Sequence, residues 1–371
     1  MISKFSLYWD GYGLDAPNSG IFVHARNIAS ELVLAGCRPR LVGLNAALKS
    51  FPDLEGFAPL AGPLTRRLPR NKLFWSRGVR RRIEEEGRED DGTLILHGLS
   101  NFNIPRKVRK SWRRVLTVHD LIPILAPKEV STPLYLQLKY LLPSALRSAD
   151  QIVCVSNWTK RTLIEFMPAV EGKIVVIPNG VGAVVAAGRS KDEDRSRINL
   201  LFVSRFEHYK GHSTLVDLLK SSKLPLVLTV ITDTRGCEFW QSRAAELITK
   251  GKVRVQSSVY GDELRRCYEK ADVYVSPSRF EGFCLPAVEA LSAGTPVVYL
   301  GGSGIDEVAG SSVSFKVENP LKISAWEDAI SQAKLESARQ DYALRALEYL
   351  QKLPTWKDAA DDLLKLYNKL V

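Results

Sequence analysis

Two glutamates separated by seven residues, Glu281 and Glu289, bracket the start of a segment that reads as strand, loop and helix. The run from Ala271 to Ser276 has the composition of a buried strand. Pro286 suits a first helical turn, where its missing N–H would be unpaired anyway, and Gly294 supplies a stop before Thr295-Pro296. This layout places the backbone amides of Gly282, Phe283, Cys284 and Leu285 at a helix amino end, where partial positive charge attracts phosphate. Glu281 falls in the loop before the helix and Glu289 about one turn in, so both carboxylates can face a ligand whose phosphates rest on those amides. Ionised carboxylates accept strongly from donors such as sugar hydroxyls.

Three further clusters carry chemistry. In Leu200-Leu201-Phe202-Val203-Ser204-Arg205-Phe206-Glu207-His208-Tyr209-Lys210-Gly211, Arg205 lies at the carboxyl end of a strand and Lys210 in the loop beyond. Ligands of open α/β sheets bind at that edge, and two cations fixed there would neutralise a diphosphate leaving group without a metal. In Asn18-Ser19-Gly20-Ile21 a glycine lets backbone approach a ligand closely. Leu116-Thr117-Val118-His119-Asp120-Leu121-Ile122-Pro123 sets His119 and Asp120 at another strand end. His24, His97, His208 and His212 read as structural or exposed residues. Asp192-Glu193-Asp194 mimics a metal-binding pair but lies in a polar stretch without strand context and reads as solvated.

The elements that must hold these residues alternate short apolar runs with amphipathic stretches, the pattern of strand–helix–strand units and parallel sheets. Phe5 to Tyr8 reads as a strand and Gly20 to Ala35 as a helix stopped by Gly36. Further strands are expected at Leu94 to His97, Val115 to Val118, Gln151 to Val155 and Ile174 to Ile177. After Ile177-Pro178-Asn179-Gly180-Val181 the chain from Ala183 to Arg197 loses any periodic apolar face, which predicts a first domain over 1–183 and a linker over 184–198. A second series follows over 199–350, with strands at Leu200 to Ser204, Leu226 to Ile231, Val253 to Gln256, Val273 to Val275 and Pro296 to Leu300. The run Tyr342 to Tyr367 is helical in pattern and broken at Pro354, and its part from 351 to 371 is expected to fold back onto the first domain.

The 371 residues carry 52 lysines and arginines against 41 aspartates and glutamates, a net charge of +11. Residues 1–183 hold 26 basic and 16 acidic side chains, so the excess lies in the first domain. It is densest at Arg66, Arg67, Arg70, Lys72, Arg77 and Arg80 to Arg82, then at Arg106, Lys107, Arg109, Lys110, Arg113 and Arg114. Such stretches are solvated faces or docking sites for an anionic membrane or a lipid-diphosphate acceptor. No nucleic-acid-binding motif accompanies them. Five scattered cysteines, never in a Cys-x-x-Cys pair, argue against a disulfide framework and a zinc site. No signal-peptide pattern or long apolar span is visible, and a cytoplasmic location, peripheral at most to the inner face of a membrane, is expected.

Taken together in order, the four clusters resemble the family-four glycosyltransferases of the GT-B fold, retaining enzymes that use nucleotide-diphosphate sugars. The pair Glu281 and Glu289, Ser204-Arg205 with Lys210-Gly211, His119-Asp120 and Ile177 to Val181 carry the resemblance. It implies two Rossmann-like domains facing across a cleft, the first for the acceptor and the second for the donor. Glu289 would hold ribose hydroxyls, Glu281 the donor sugar, and Arg205 with Lys210 the diphosphate, assisted by the amides of Phe283, Cys284 and Leu285. His119 would touch the donor sugar, and Gly20 would bring its backbone beside the phosphates. The stretch from His119 to Pro127 looks most like mannosyltransferases of bacterial surface-polysaccharide assembly, which favours GDP-mannose as donor, with a UDP-hexose as the alternative. No cofactor or metal is implied, and the other substrate would be a saccharide or lipid-linked acceptor. Three positions depart from the family pattern: Cys284 and Ser19 where glycine is usual, and Thr232-Asp233 at a strand end usually closed by glycine. The rival readings are a nucleotide-sugar epimerase or phosphorylase on the same scaffold, the latter distinguished by a need for free phosphate, and a non-enzymatic polyanion-binding protein, distinguished by steep salt dependence.

Overall fold

Apolar runs bounded by turn residues become thirteen strands among the described residues: β1 Phe5–Asp10, β2 Arg40–Val42, β3 Gly56–Phe57, β4 Thr93–Gly98, β5 Trp112–Val118, β6 Gln151–Cys154, β7 Ile174–Val176, β8 Ile198–Val203, β9 Leu226–Thr232, β10 Val253–Ser257, β11 Val273–Ser276, β12 Val297–Leu300 and β13 Ser314–Val317. The computed structural model describes residues 5–14, 19–59, 72–86, 92–182, 196–337 and 341–371. Most of the expected linker at 184–198 therefore lies outside the described residues, as do Arg66, Arg67, Arg70 and Asp192 to Asp194.

The chain divides into two compact units. One comprises Met1–Pro127, Ser131–Gly180 and Pro354–Val371, the other Lys128–Val130 and Val181–Leu353. In the first, seven strands pair in parallel in the order β3-β2-β1-β4-β5-β6-β7. In the second, six pair in parallel in the order β10-β9-β8-β11-β12-β13. Each order reverses once, between β1 and β4 and between β8 and β11, and the crevice outside the strand ends at such a reversal is where doubly wound sheets bind ligands. All the expected strands form within a few residues of their expected limits. The expectation missed β2 and β3, which are too short to show periodicity, and β13, where Ser314 and Lys316 interrupt the apolar signal.

The second sheet buries Leu200, Phe202, Leu228, Val230, Val273 and Val275 against Leu215, Leu219, Trp240, Trp326 and Ile330 from its helices. In the first, Leu116, Val118, Ile152 and Cys154 pack with Leu138, Leu142 and Leu163, while Tyr8, Leu94 and Leu96 pack with Trp75, Val79 and Ile83. The helix Gly20–Leu34 is capped by Ser19, whose hydroxyl accepts from the Phe22 N–H, and ends at left-handed Gly36.

The helix Tyr342–Leu350 ends before Pro354, and Thr355 and Asp358 form a capping box that starts the next, Trp356–Lys369. That helix packs against Gly20–Leu34 within the first unit. Gly180 permits the approach: a Cβ there would lie 2.1 Å from the Trp356 amide nitrogen.

Part of the described positive charge has a local partner. Arg82 meets Glu85 and Glu86 at 3.1 and 2.9 Å, Arg80 lies 3.7 Å from Glu84, and Arg114 lies 3.5 Å from Asp150. No helix of the described residues is long and apolar enough to cross a membrane.

Candidate functional site

Two loops meet at the carboxyl edge of the second sheet, one leaving β8 and one leaving β11. Arg205 follows β8 with its side chain exposed, and a short 3-10 turn over His208–Lys210 ends at Gly211. Gly211 has φ +79°, and a Cβ on it would sit 2.5 Å from the Pro277 carbonyl oxygen, so the β11 loop leaves room for glycine alone. The Arg279 N–H donates to the Tyr209 carbonyl at 2.9 Å and fastens the two loops together.

Across this junction the Lys210 ammonium donates to both Glu281 carboxylate oxygens, at 2.7 and 2.8 Å. Burial alone would lower the lysine's affinity for its proton. The Glu281 carboxylate, helped by Tyr209, outweighs burial and holds the ammonium above lysine's usual range. Of the two cations expected at this edge, Lys210 is half of an ion pair, while Arg205 lies exposed at the strand end. Its carbonyl accepts from His212 Nε2 at 3.3 Å, and His212 Nδ1 accepts from Trp240 Nε1 at 3.0 Å. His212 is buried and pushed down to about 4, by burial first, so it acts as a neutral brace for the Arg205 turn.

Cys284 occupies the left-handed region, φ 78° and ψ 69°, immediately before the helix Leu285–Ser292. This explains why glycine is usual there: the turn that aims the amides of residues 282–285 requires a conformation costly for a side chain. Burial, with Glu281 beside it, pushes the Cys284 thiol well up, so the sulfur is an unreactive filler. Pro286 stands in the first helical turn, as its sequence position predicts. Behind the loop, the Gly304 N–H donates to the Glu281 carbonyl at 2.8 Å, and a Cβ on Gly304 would come within 2.3 Å of the Gly282 carbonyl oxygen. One turn into the helix, Glu289 accepts from the Tyr268 hydroxyl at 2.7 Å, and burial raises its carboxyl above the usual range.

Tyr268 and Gly304 were not singled out in the sequence. Tyr268 sits inside an amphipathic helix, Gly261–Lys270, where a buried aromatic looks like core. The glycine-rich run Gly301-Gly302-Ser303-Gly304 after β12 was a readable sign of close backbone approach. Asp233, the departure at the end of β9, caps the helix Thr234–Arg243 through the Gly236 N–H at 3.0 Å and accepts from the Phe206 N–H at 3.1 Å, so it braces the Arg205 loop.

The first unit places His119 just beyond β5, 8 % exposed, with Nε2 donating to the Leu99 carbonyl at 2.9 Å. Its backbone is fixed on both sides, the N–H by Asn101 Oδ1 at 2.8 Å and the carbonyl by the Thr159 hydroxyl at 3.1 Å. The His24 ring stands edge-on to His119 with centroids 5.0 Å apart. His97 is buried between the Tyr367 hydroxyl, 2.6 Å from Nδ1, and the Thr117 hydroxyl, 2.7 Å from Nε2. Burial first, and then the neighbouring imidazoles for His97 and His119, lower all three, to about 4 for His24 and about 3 for His97 and His119, so all are neutral at physiological pH. Gly20 opens its helix, and a Cβ there would touch nothing within 4 Å. Among the described residues the space beside it is open. The described residues hold no cluster of three or more His, Cys, Asp or Glu able to bind a metal.

Comparison with known proteins finds a family model over most of each unit. The model described as Glycosyltransferase Family 4 matches residues 18–183, and the model described as Glycosyl transferases group 1 matches residues 188–348. An uncharacterized glycosyltransferase of Methanocaldococcus jannaschii is 30 % identical over 173 residues, 43 % of this chain and 44 % of its own length. The O-antigen chain mannosyltransferase RfbU of Salmonella typhimurium is 25 % identical over 217 residues, 58 % of this chain and 60 % of its own length. The chain thus spans less than two thirds of the length of these relatives. Among solved structures, an Anabaena protein crystallised with UDP shares the fold, with TM-score 0.71 and 15 % identity over 98 % of this chain and 99 % of that one. With a parallel α/β sheet in each unit and a family model on each, the chain belongs to the family-four glycosyltransferases of the GT-B fold.

Proposed function

We propose that the protein is a retaining glycosyltransferase that moves a hexose, mannose in the first instance, from a nucleotide-diphosphate sugar to a saccharide or lipid-linked acceptor in bacterial surface-polysaccharide or glycolipid synthesis. The observation that carries this reading is the Lys210–Glu281 pair beside the Cys284 turn at the β8/β11 reversal, a cation, a carboxylate and a helix amino end within one small region. The amides of Gly282, Phe283, Cys284 and Leu285 with Arg205 and Lys210 seat the diphosphate, Glu289 holds the ribose, and Glu281 holds the sugar near its reacting carbon. GDP-mannose is the favoured donor on the likeness to the Salmonella mannosyltransferase, and a UDP-hexose the alternative on the likeness to the Anabaena protein held with UDP.

When the donor binds, its diphosphate competes for Lys210 and loosens the hold on Glu281, freeing that carboxylate for sugar hydroxyls. In the transfer the bond between the anomeric carbon and the diphosphate breaks, and the acceptor oxygen bonds to that carbon on the same face. The hydroxyl proton passes to the departing phosphate, and no metal is required. Lys210→Ala and Glu281→Ala should each lower kcat/KM by about 10²- to 10³-fold, the scale of removing one preorganised electrostatic group. Product formation from radiolabelled donor measures this, with the anomeric configuration read by NMR; full activity in both variants would remove the assignment. A thermal-shift panel of GDP, UDP, ADP and their sugars identifies the donor, because a ligand that binds only the native state raises its apparent stability.

A further inference from the structure

The helix Gly261–Lys270 is polar along most of its length and buries one side chain, Tyr268, which is 2 % exposed. A position that needed only apolar volume would be served by phenylalanine, whereas a buried hydroxyl must find a partner. Tyr268 donates to Glu289 Oε2 at 2.7 Å. Its aim is fixed twice: the Thr295 hydroxyl donates to the Tyr268 carbonyl at 2.7 Å, and the Tyr274 ring packs against it with centroids 5.9 Å apart. Burial first, and then the Glu289 charge, hold the Tyr268 phenol well above its ordinary value, so it keeps its proton for donation.

Glu289 itself is partly exposed. Among the described residues its carboxylate has no other donor, and Oε1 keeps access to solvent. Burial and the Tyr268 hydroxyl are the two influences on its carboxyl: burial raises it and the hydroxyl favours the anion. The other ionisable groups around it are protonated or already paired. Tyr274 on β11, Tyr299 on β12 and the Cys284 thiol at the head of its own helix are all pushed up. Glu281 is matched by Lys210, Arg265 by Glu269, and Arg345 on the packed helix Tyr342–Leu350 by Glu336.

We propose that Tyr268 is a positioning residue of the nucleotide seat, holding one oxygen of the Glu289 carboxylate and leaving the other to accept from a ribose diol, so that the site prefers a ribonucleotide to its 2′-deoxy form. The role rests on Glu289 holding the ribose, as proposed above. A protonated carboxyl donates where the anion only accepts, so the preference needs the anion. Without the phenol hydroxyl, burial acts unopposed and raises the carboxyl further, and the preference is then lost at a higher pH.

The test titrates the full chain with GDP, UDP and their 2′-deoxy forms from pH 5 to pH 8 by calorimetry. The ratio of ribo to deoxy affinity cancels the protonation of the phosphates themselves. In the unaltered chain the ribo form of whichever nucleotide binds should be about tenfold tighter at pH 7.5, the scale of one hydrogen bond to a charged group. The ratio should fall toward one as acid protonates Glu289. Tyr268→Phe keeps the ring and removes the hydroxyl. Its ratio at pH 7.5 should drop to about threefold or less, and the fall should begin about one pH unit higher. In Glu289→Gln the ratio should be flat with pH, and adding Tyr268→Phe should change it by less than about twofold, because the tyrosine acts through the carboxylate. A merely structural tyrosine would weaken both sugar forms alike and leave the ratio and its pH course unmoved, which would overturn the role. Should Tyr268→Phe melt far below the parent, 3-fluorotyrosine in place of Tyr268 substitutes for it. That more acidic phenol donates more strongly and should move the fall to lower pH; an unmoved fall overturns the role as well. A chain that shows no ribo preference, or binds neither nucleotide, removes the ribose role of Glu289 and this one together, whereas a preference left intact by Tyr268→Phe removes only this one.

Discussion

At the residue scale, Cys284 shows how a local backbone requirement sits inside a binding loop. Its φ of 78° belongs to a region that β-branched residues scarcely enter. Cys284→Gly should relieve about 1 kcal/mol of strain and lose a similar amount of thiol packing, leaving stability within about 1 kcal/mol of the parent. Cys284→Val, which adds a second γ branch at a buried site, should cost about 2 kcal/mol, from β-branched strain at that dihedral and from overpacking. Urea unfolding of both variants checks this, and the opposite order would mean that the thiol's contacts, not the backbone, decide what the position tolerates. The Lys210–Glu281 pair is instructive in another way. Neither side chain is wholly buried, at 21 % and 11 % exposed, so the pair holds geometry more than it adds stability.

At the element scale, the Ile177-Pro178-Asn179-Gly180-Val181 segment joins three parts of the first unit. Asn179 fixes His24, Gly180 admits the chain at Trp356, and Trp356 lies with its ring centroid 6.1 Å from that of His24. Gly180→Ala would drive a Cβ into the Thr355–Trp356 backbone and should cost about 3 kcal/mol, the upper range for overpacking. Hydrogen exchange in the helix Trp356–Lys369 is the appropriate readout. Selective loss of protection there is expected, and unchanged protection would show that the segment can shift to accept a methyl group.

For the whole molecule, the buried titratable groups set how stability responds to acid. His24, His97, His119 and His212 have folded-state values of about 3 to 4 against an ordinary 6.5. The unfolded chain therefore takes up protons first, and the stability these groups contribute is present above pH 6.5 and lost as pH falls toward 4. Asp10 opposes this. Burial pushes its carboxyl up to about 7, despite hydrogen bonds from Trp75 and Tyr12, so its ionisation costs stability as pH rises from about 4 to about 7. The Glu289 carboxyl, raised by burial, acts in the same sense as Asp10, but with four groups against two the melting temperature should still fall from pH 6.5 to pH 4.5. Calorimetry at several pH values measures the slope, and a flat profile would mean that the histidines are not held neutral in the folded chain.

The alternation of apolar runs and amphipathic stretches already determined a pair of parallel α/β sheets, because strands buried on both faces leave a strong apolar signal in the chain. Pro286 and the glutamate spacing likewise announced the helix start over Leu285–Ser292. What only the tertiary structure decided were relations between residues far apart in sequence. Lys210 meeting Glu281, Tyr268 meeting Glu289, Gly304 backing Gly282, and His24 standing edge-on to His119 all depend on how strand ends and loops come together. Periodicity reports which face of an element is buried; it carries no record of which distant side chain fills the other side of the contact.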